Sequence, residues 1–120
     1  LRQLIQQFQQ GGLETPSAQQ CQQEATRNQN SIPDLLALAA ANGDLVQITD
    51  QYYLHQETEQ QVRQQLDEHL STQQGLTLSE IRELLGTTRK FAVPLCEYFD
   101  EIGFTRRDGS LRYRNPDSAS

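Results

Sequence analysis

The chain has 120 residues, a formal charge of −6 and a hydrophobic fraction of 35%, low against the ~45–50% apolar content of ordinary globular chains. That length suits one ordinary domain or two very small ones, and no apolar run approaches the ~18 residues of a membrane span. There is no basic start leading into an apolar signal segment, two cysteines are too few for a disulfide scaffold, and the acidic sum by itself argues against a polyanionic partner.

In chain order, Leu1, Leu4, Ile5 and Phe8 fall at helical spacing and Gly11-Gly12 stops that helix. Thr15-Pro16 fits an N-cap followed by proline at the first helical position, opening a short polar helix to about Ala25. Residues Arg27 to Asn30 read as a polar loop. Ser31 is placed to cap a third helix, with Ile32, Leu35, Leu36 and Ala39 on one face and Asn42-Gly43 at its end. Leu45, Val46 and Ile48, a turn at Thr49-Asp50-Gln51, and Tyr52 to His55 then spell a β-hairpin.

The same order repeats. Gln56 to about Thr72 is a long helix with a narrow stripe of Val62, Leu66 and Leu70. Thr77 and Glu80 form a capping box, with Leu76 and Ile81 as its hydrophobic staple, and the helix they open stops at Gly86. Thr87 or Thr88 caps the next helix, whose core stripe is Ala92, Leu95, Cys96, Phe99 and Ile102; Pro94 inside it should kink it or delay its regular start. A final hairpin with Asp108-Gly109 as its two-residue turn pairs Arg107 with Ser110 and Thr105 with Arg112. In that register Phe104, Leu111 and Tyr113 cover the core, Thr105, Arg107, Arg112 and Arg114 face solvent, and Arg106 lies near the tip.

Helix, helix, helix, hairpin is the winged helix. The fold class expected is therefore mainly α with small β-hairpins (α+β), as two tandem winged-helix domains over 1–55 and 56–115, with a disordered tail at 116–120. A start at Leu1 inside a helical stripe, and the lack of any methionine, lead to the expectation that the chain is a piece of a longer protein.

The charges are unevenly placed. Residues 1–55 carry a net −3, residues 56–81 a net −4 and residues 82–115 a net +2. An acidic body with a basic end points to a localised anionic partner. The sharpest cluster is Thr87-Thr88-Arg89-Lys90 at a helix start, where free N–H groups and the helix dipole favour phosphate. The adjoining wing adds Arg106, Arg107, Arg112 and Arg114. The plain alternative is a surface salt-bridge set with Glu97, Asp100, Glu101 and Asp108. Enzymatic motifs are absent: there is no G-x-x-x-x-G-K-[ST], G-x-S-x-G, H-E-x-x-H or C-x-x-C. His55 and His69 read as boundary or surface histidines, and Cys21 and Cys96 as small core fillers. The first unit has no basic cluster and is expected to be a spacer or protein-contact unit.

The run from Ile81 to Arg107, with its Arg89-Lys90 pair, Glu97-Tyr98-Phe99-Asp100 and Gly103-Phe104-Thr105-Arg106-Arg107, closely resembles the end of the bacterial selenocysteine-specific elongation factors, the SelB family. The resemblance is dense over about 30 residues and weaker before residue 75, where it rests on helix order, Gly43 to Val46 and Tyr52 to His55. It implies the last two of the family's four C-terminal winged-helix domains. In that family the N-terminal part is a GTPase carrying selenocysteinyl-tRNA, and the C-terminal part binds the SECIS hairpin of selenoprotein mRNA and so recodes UGA. Cys96 departs from the family's usual aliphatic residue. By this resemblance the chain is a monomeric, cytoplasmic, non-enzymatic binding module without a cofactor of its own, GTP, Mg and ribosome contacts belonging to the parent. Thr87, Thr88, Arg89 and Lys90 are expected to hold the RNA loop, and Arg82, Arg106, Arg107, Arg112 and Arg114 the stem backbone. Tyr113 and Phe91 are weighed as base-stacking rings and as core. The rival readings are a tandem winged-helix DNA-binding regulator and a winged-helix protein-protein module.

Overall fold

The protein is described here by a computed structural model covering residues 1–25 and 31–116. The expected loop at 27–30 and the tail beyond Pro116 lie outside the described residues. The chain divides into two compact units, Leu1–Gln60 and Gln61–Ser120.

The first unit contains α1 (Arg2–Gly11), α2 (Ala18–Glu24), α3 (Ile32–Ala41), β1 (Leu45–Gln47), β2 (Tyr53–His55) and the start of α4 (Gln56–His69). The apolar stripe of α1 delivers Phe8 to a core with Leu36, Ala39 and Leu45, closed by Cys21, Ile32 and Tyr53. β1 and β2 pair antiparallel with Val46 opposite Leu54. The cap of α2 differs from the sequence expectation. Ser17 holds it, accepting from the Gln20 N–H at 3.0 Å. Thr15 is buried instead, and its hydroxyl donates to the Tyr53 carbonyl at 2.7 Å. A hydroxyl drawn into a β-strand contact is unavailable as a cap. Ser31 sits at the N-cap of α3 without a side-chain bond. His55 is buried, and its Nδ1 accepts the Glu57 N–H at 3.1 Å, a structural use of the ring at the start of α4.

The second unit contains the rest of α4, then β3 (Leu76–Thr77), α5 (Leu78–Leu85), α6 (Arg89–Glu101), β4 (Thr105–Asp108) and β5 (Leu111–Arg114). Val62, Leu66 and Leu70 of α4 are buried, as are Ile81 of α5 and Ala92, Leu95, Cys96 and Phe99 of α6. The three strands form a sheet in the order β3-β5-β4. β3 was not anticipated, because two residues are too few to show alternation. The capping box is present in full: Thr77 accepts from the Glu80 N–H at 3.2 Å and Glu80 accepts from the Thr77 N–H at 2.9 Å. Thr77→Ala removes half of it and is expected to cost about 1 kcal/mol, read as a fall of ~4–8 °C in thermal midpoint for so small a unit.

The wing departs from the expected register. Thr105 pairs with Arg114, Arg107 with Arg112 and Asp108 with Leu111, so the two-residue turn is Gly109-Ser110. Gly109 has φ +63°, which suits a glycine at the first position of such a turn. The slip of the turn by one residue keeps the parity of the faces but not their direction. Thr105 and Arg112 are buried, Leu111 and Tyr113 are half-buried, and Arg106 is exposed. The next strand explains the choice: β5 must place Leu111 opposite Thr77 and Arg112 opposite Leu76 of β3.

Candidate nucleic-acid interface

α6 presents its start at the mouth of a groove. Arg89, Val93 and Glu97, four residues apart, line one wall; Arg107, Ser110 and Arg112 of the wing line another, and Thr77, Leu78 and Ser79 close the end. The groove is open, with a volume of about 350 Å³. Its composition is basic with a single carboxylate, that of Glu97. Sequence reading missed Glu97 and Val93 as groove residues, although their spacing from Arg89 already sets them on one helix face.

The nine expected contact residues fall into three groups. Thr88, Arg89 and Lys90 are exposed at the start of α6. Thr88 is the N-cap and no side chain caps the helix, so the first-turn N–H groups point outward unclaimed by a side chain. Lys90 lies 5.3 Å from the Phe91 ring centroid. Arg107 is exposed on the wing, its Nε donating to the Gly109 carbonyl at 3.1 Å. Arg106 is exposed as well, on the other face of the hairpin. Among the described residues, Arg89, Lys90, Arg106 and Arg107 form no ion pair.

Arg112 and Arg114 are placed otherwise than expected. Arg112 Nε donates to Asp100 Oδ2 at 3.0 Å, and the Thr105 hydroxyl donates to Asp100 Oδ1 at 2.7 Å. Arg114 Nε donates to Asp67 Oδ1 at 2.8 Å and its Nη1 to the Phe104 carbonyl, also at 2.8 Å. Its guanidinium lies 3.7 Å from the Phe104 centroid, and that of Arg63 lies 5.3 Å from it. Both arginines fasten the wing to helices. The correction follows from charge burial: a guanidinium turned toward the core needs a carboxylate and its hydrogen bonds, or it does not go there. Arg82 is half-buried and faces Glu83 at 3.7 Å, an exposed pair of small worth.

Thr87 is the other correction. It is buried, and its hydroxyl oxygen has no hydrogen-bond partner. Its side chain is therefore turned inward, unlike those of Thr88, Arg89 and Lys90. A buried hydroxyl without a partner is destabilising, while an apolar isostere loses nothing. Thr87→Val should accordingly raise the stability of the unit by about 1 kcal/mol, measured by urea denaturation, and leave ligand affinity unchanged.

Cys96 is buried and burial pushes its thiol up to about 11, with Arg112 opposing and Asp100 and Glu97 adding to the shift. It is a packing residue. Burial raises Cys21 too, with Glu24 adding to it. Among the described residues no group of His, Cys, Asp and Glu is placed to hold a metal ion, and no helix is long and apolar enough to cross a membrane.

Residues 68–114 match the family described as elongation factor SelB, winged helix. The selenocysteine-specific elongation factor of Desulfomicrobium baculatum is 25% identical over 103 residues, covering 86% of this chain and 16% of that protein. That of Escherichia coli K12 is 53% identical over 32 residues, covering 27% of this chain and 5% of that protein. Among solved structures, the mRNA-binding domain of elongation factor SelB from E. coli, in complex with SECIS RNA, superposes with a TM-score of 0.73 at 24% identity, covering 82% of this chain and 81% of that one. A bacterial selenocysteine-specific elongation factor, EF-Sec, superposes with a TM-score of 0.60 at 27% identity, covering 71% of this chain and 14% of that one. The chain thus spans a small part of the curated relatives it matches.

Proposed function

We propose that this chain, whose residues 68–114 match the SelB winged-helix family, is the mRNA-binding part of a selenocysteine-specific elongation factor, gripping the loop and adjacent backbone of a SECIS hairpin so that UGA is recoded as selenocysteine. One observation carries the reading. In a chain of charge −6, the wing arginines nearest the core are matched to carboxylates, whereas Arg89 and Arg107 line one groove and, like the exposed Lys90 next to Arg89, form no ion pair among the described residues. Unpaired cations gathered on one edge of an acidic protein suit a localised polyanion.

RNA geometry decides how the grip works. The A-form major groove is deep and narrow and excludes a helix, whereas hairpin loops offer splayed phosphates and unstacked bases. Arg89, Lys90 and the exposed first turn of α6 hold loop phosphates, and Arg107 holds the neighbouring backbone. Arg112 acts indirectly by fixing the wing. The first unit serves as spacer or contact surface. GTP with Mg, selenocysteinyl-tRNA and the ribosome are engaged by the parent protein, for which this chain supplies the RNA address.

The test is equilibrium binding to a SECIS hairpin, a loop-substituted hairpin and duplex DNA of equal length over a salt series. The expected result is loop-dependent hairpin binding whose log affinity falls with log salt at a slope of about −2 to −3, three contacts at ~0.7–0.9 each. Equal binding of duplex DNA overturns the reading.

A further inference from the structure

Arg106 stands apart from the groove. It sits directly opposite Tyr113 across β4 and β5, on the hairpin face that Arg107 and Arg112 do not share. Its guanidinium lies over the Tyr113 ring at 4.7 Å from the centroid, and one Nη donates to the Thr72 carbonyl at 3.3 Å. The ring beneath is held closely in turn. A Cβ on Gly75 would come within 3.0 Å of two Tyr113 ring carbons and 2.8 Å of the Arg112 carbonyl oxygen, so only glycine lets the ring lie there. The guanidinium is thus held between the Tyr113 ring and the Thr72 carbonyl. No carboxylate pairs with it among the described residues, and its side chain is exposed.

We infer that this Arg106–Tyr113 stack is a second RNA contact, which takes one unpaired base of the bound RNA on the outer face of the guanidinium. The inference rests on the RNA-binding reading above. A guanidinium plane is a recognised stacking surface for unstacked bases. A plane already oriented loses little freedom when a base settles on it. The aromatic ring keeps the cation in place without neutralising it, as a carboxylate would. Because every base has a π-face, the contact discriminates unpaired from paired nucleotides rather than one base from another.

The experiment uses the full chain and SECIS hairpins carrying a short unpaired adenosine tail on the 5′ or the 3′ side, each compared with a tail of abasic residues. Abasic tails keep the phosphates, so the ratio isolates stacking. With the unsubstituted chain, one of the adenosine tails should tighten binding about tenfold over its abasic counterpart. Arg106→Lys, which keeps the charge and loses the plane, should bring that ratio to about one. Tyr113→Phe, which keeps the ring, should preserve it, and circular dichroism reports whether each variant is folded. If hairpins bind but adenosine and abasic tails bind alike on both sides, or if Arg106→Lys keeps the tenfold gain, the inference falls while the RNA reading stands. If no hairpin binds, the RNA reading fails and takes this inference with it.

Discussion

Reversing the charge at Lys90 or Arg89 to glutamate is expected to weaken hairpin binding by one to two orders of magnitude. Each of these side chains is exposed at the uncapped start of α6, where cation, N–H groups and helix dipole act together on a phosphate. A hydrogen bond to a charged group contributes roughly 1.5–3 kcal/mol, which is about 10- to 150-fold in affinity, and a glutamate adds repulsion. The loss should shrink as salt rises, and the salt slope should fall by about 0.7–0.9 for the contact removed. Stability should hardly change, because neither side chain is ion-paired among the described residues. Asp34→Ala in the first unit provides the contrast: it lies on α3, in a unit whose sequence carries no basic cluster, and hairpin affinity should be unaltered. Unchanged binding by both Arg89→Glu and Lys90→Glu, with the fold intact, would remove α6 from the interface.

The second large effect falls on stability. Asp100 accepts from Arg112 and from the Thr105 hydroxyl, and the Arg112 side chain retains only 7% of its exposure against 24% for Asp100. Asp100→Ala strands the guanidinium without a counter-charge. Removing one member of a buried pair typically costs ~3–5 kcal/mol; the partial exposure of Asp100 lowers the expectation to about 2–3 kcal/mol. In a unit this small, that is a fall of ~10–20 °C in thermal midpoint. Arg112→Met, which removes the charge along with its need for a partner, should cost less. The two replacements together separate a fastening role from a phosphate contact: Arg112→Met should keep most of the hairpin affinity, since Arg112 faces Asp100.

This pair also shows where the sequence was readable. The capping box was legible because its two partners, Thr77 and Glu80, are three residues apart and answer each other chemically. The stripes of α1, α3 and α6 were legible because burial repeats with the helical period, except at their ends, where Leu1 and Ile102 were expected in the core and are exposed as capping residues; the cation cluster at Arg89-Lys90 was legible by its place at a helix start. The wing was only half legible. Asp108-Gly109 and Gly109-Ser110 are both competent turns, and local rules favour the first. The second was selected by β3, some thirty residues away, and by Asp100 on α6. Parity told which side chains share a face; only tertiary contact told which face turns inward. Hence Arg112 and Arg114 were expected in solvent and are instead bound to Asp100 and Asp67. Thr87 eluded sequence reading for a similar reason, since a threonine beside an N-cap carries no mark of being buried.

Pro94 has a consequence for the timescale on which the second unit opens. It lies within α6 and has no N–H, so the Lys90 carbonyl lacks its helical donor. The turn before it hangs on the Phe91 and Ala92 amides, which donate to the Thr88 carbonyl at 3.2 and 3.0 Å. The half after it is anchored by Leu95, Cys96 and Phe99. Amide hydrogen exchange should therefore divide α6 in two, with Phe91 and Ala92 exchanging at least about tenfold faster than Leu95 to Phe99 through local opening. Arg89 and Lys90 ride on the turn that opens first, whereas Arg107 is held on the wing.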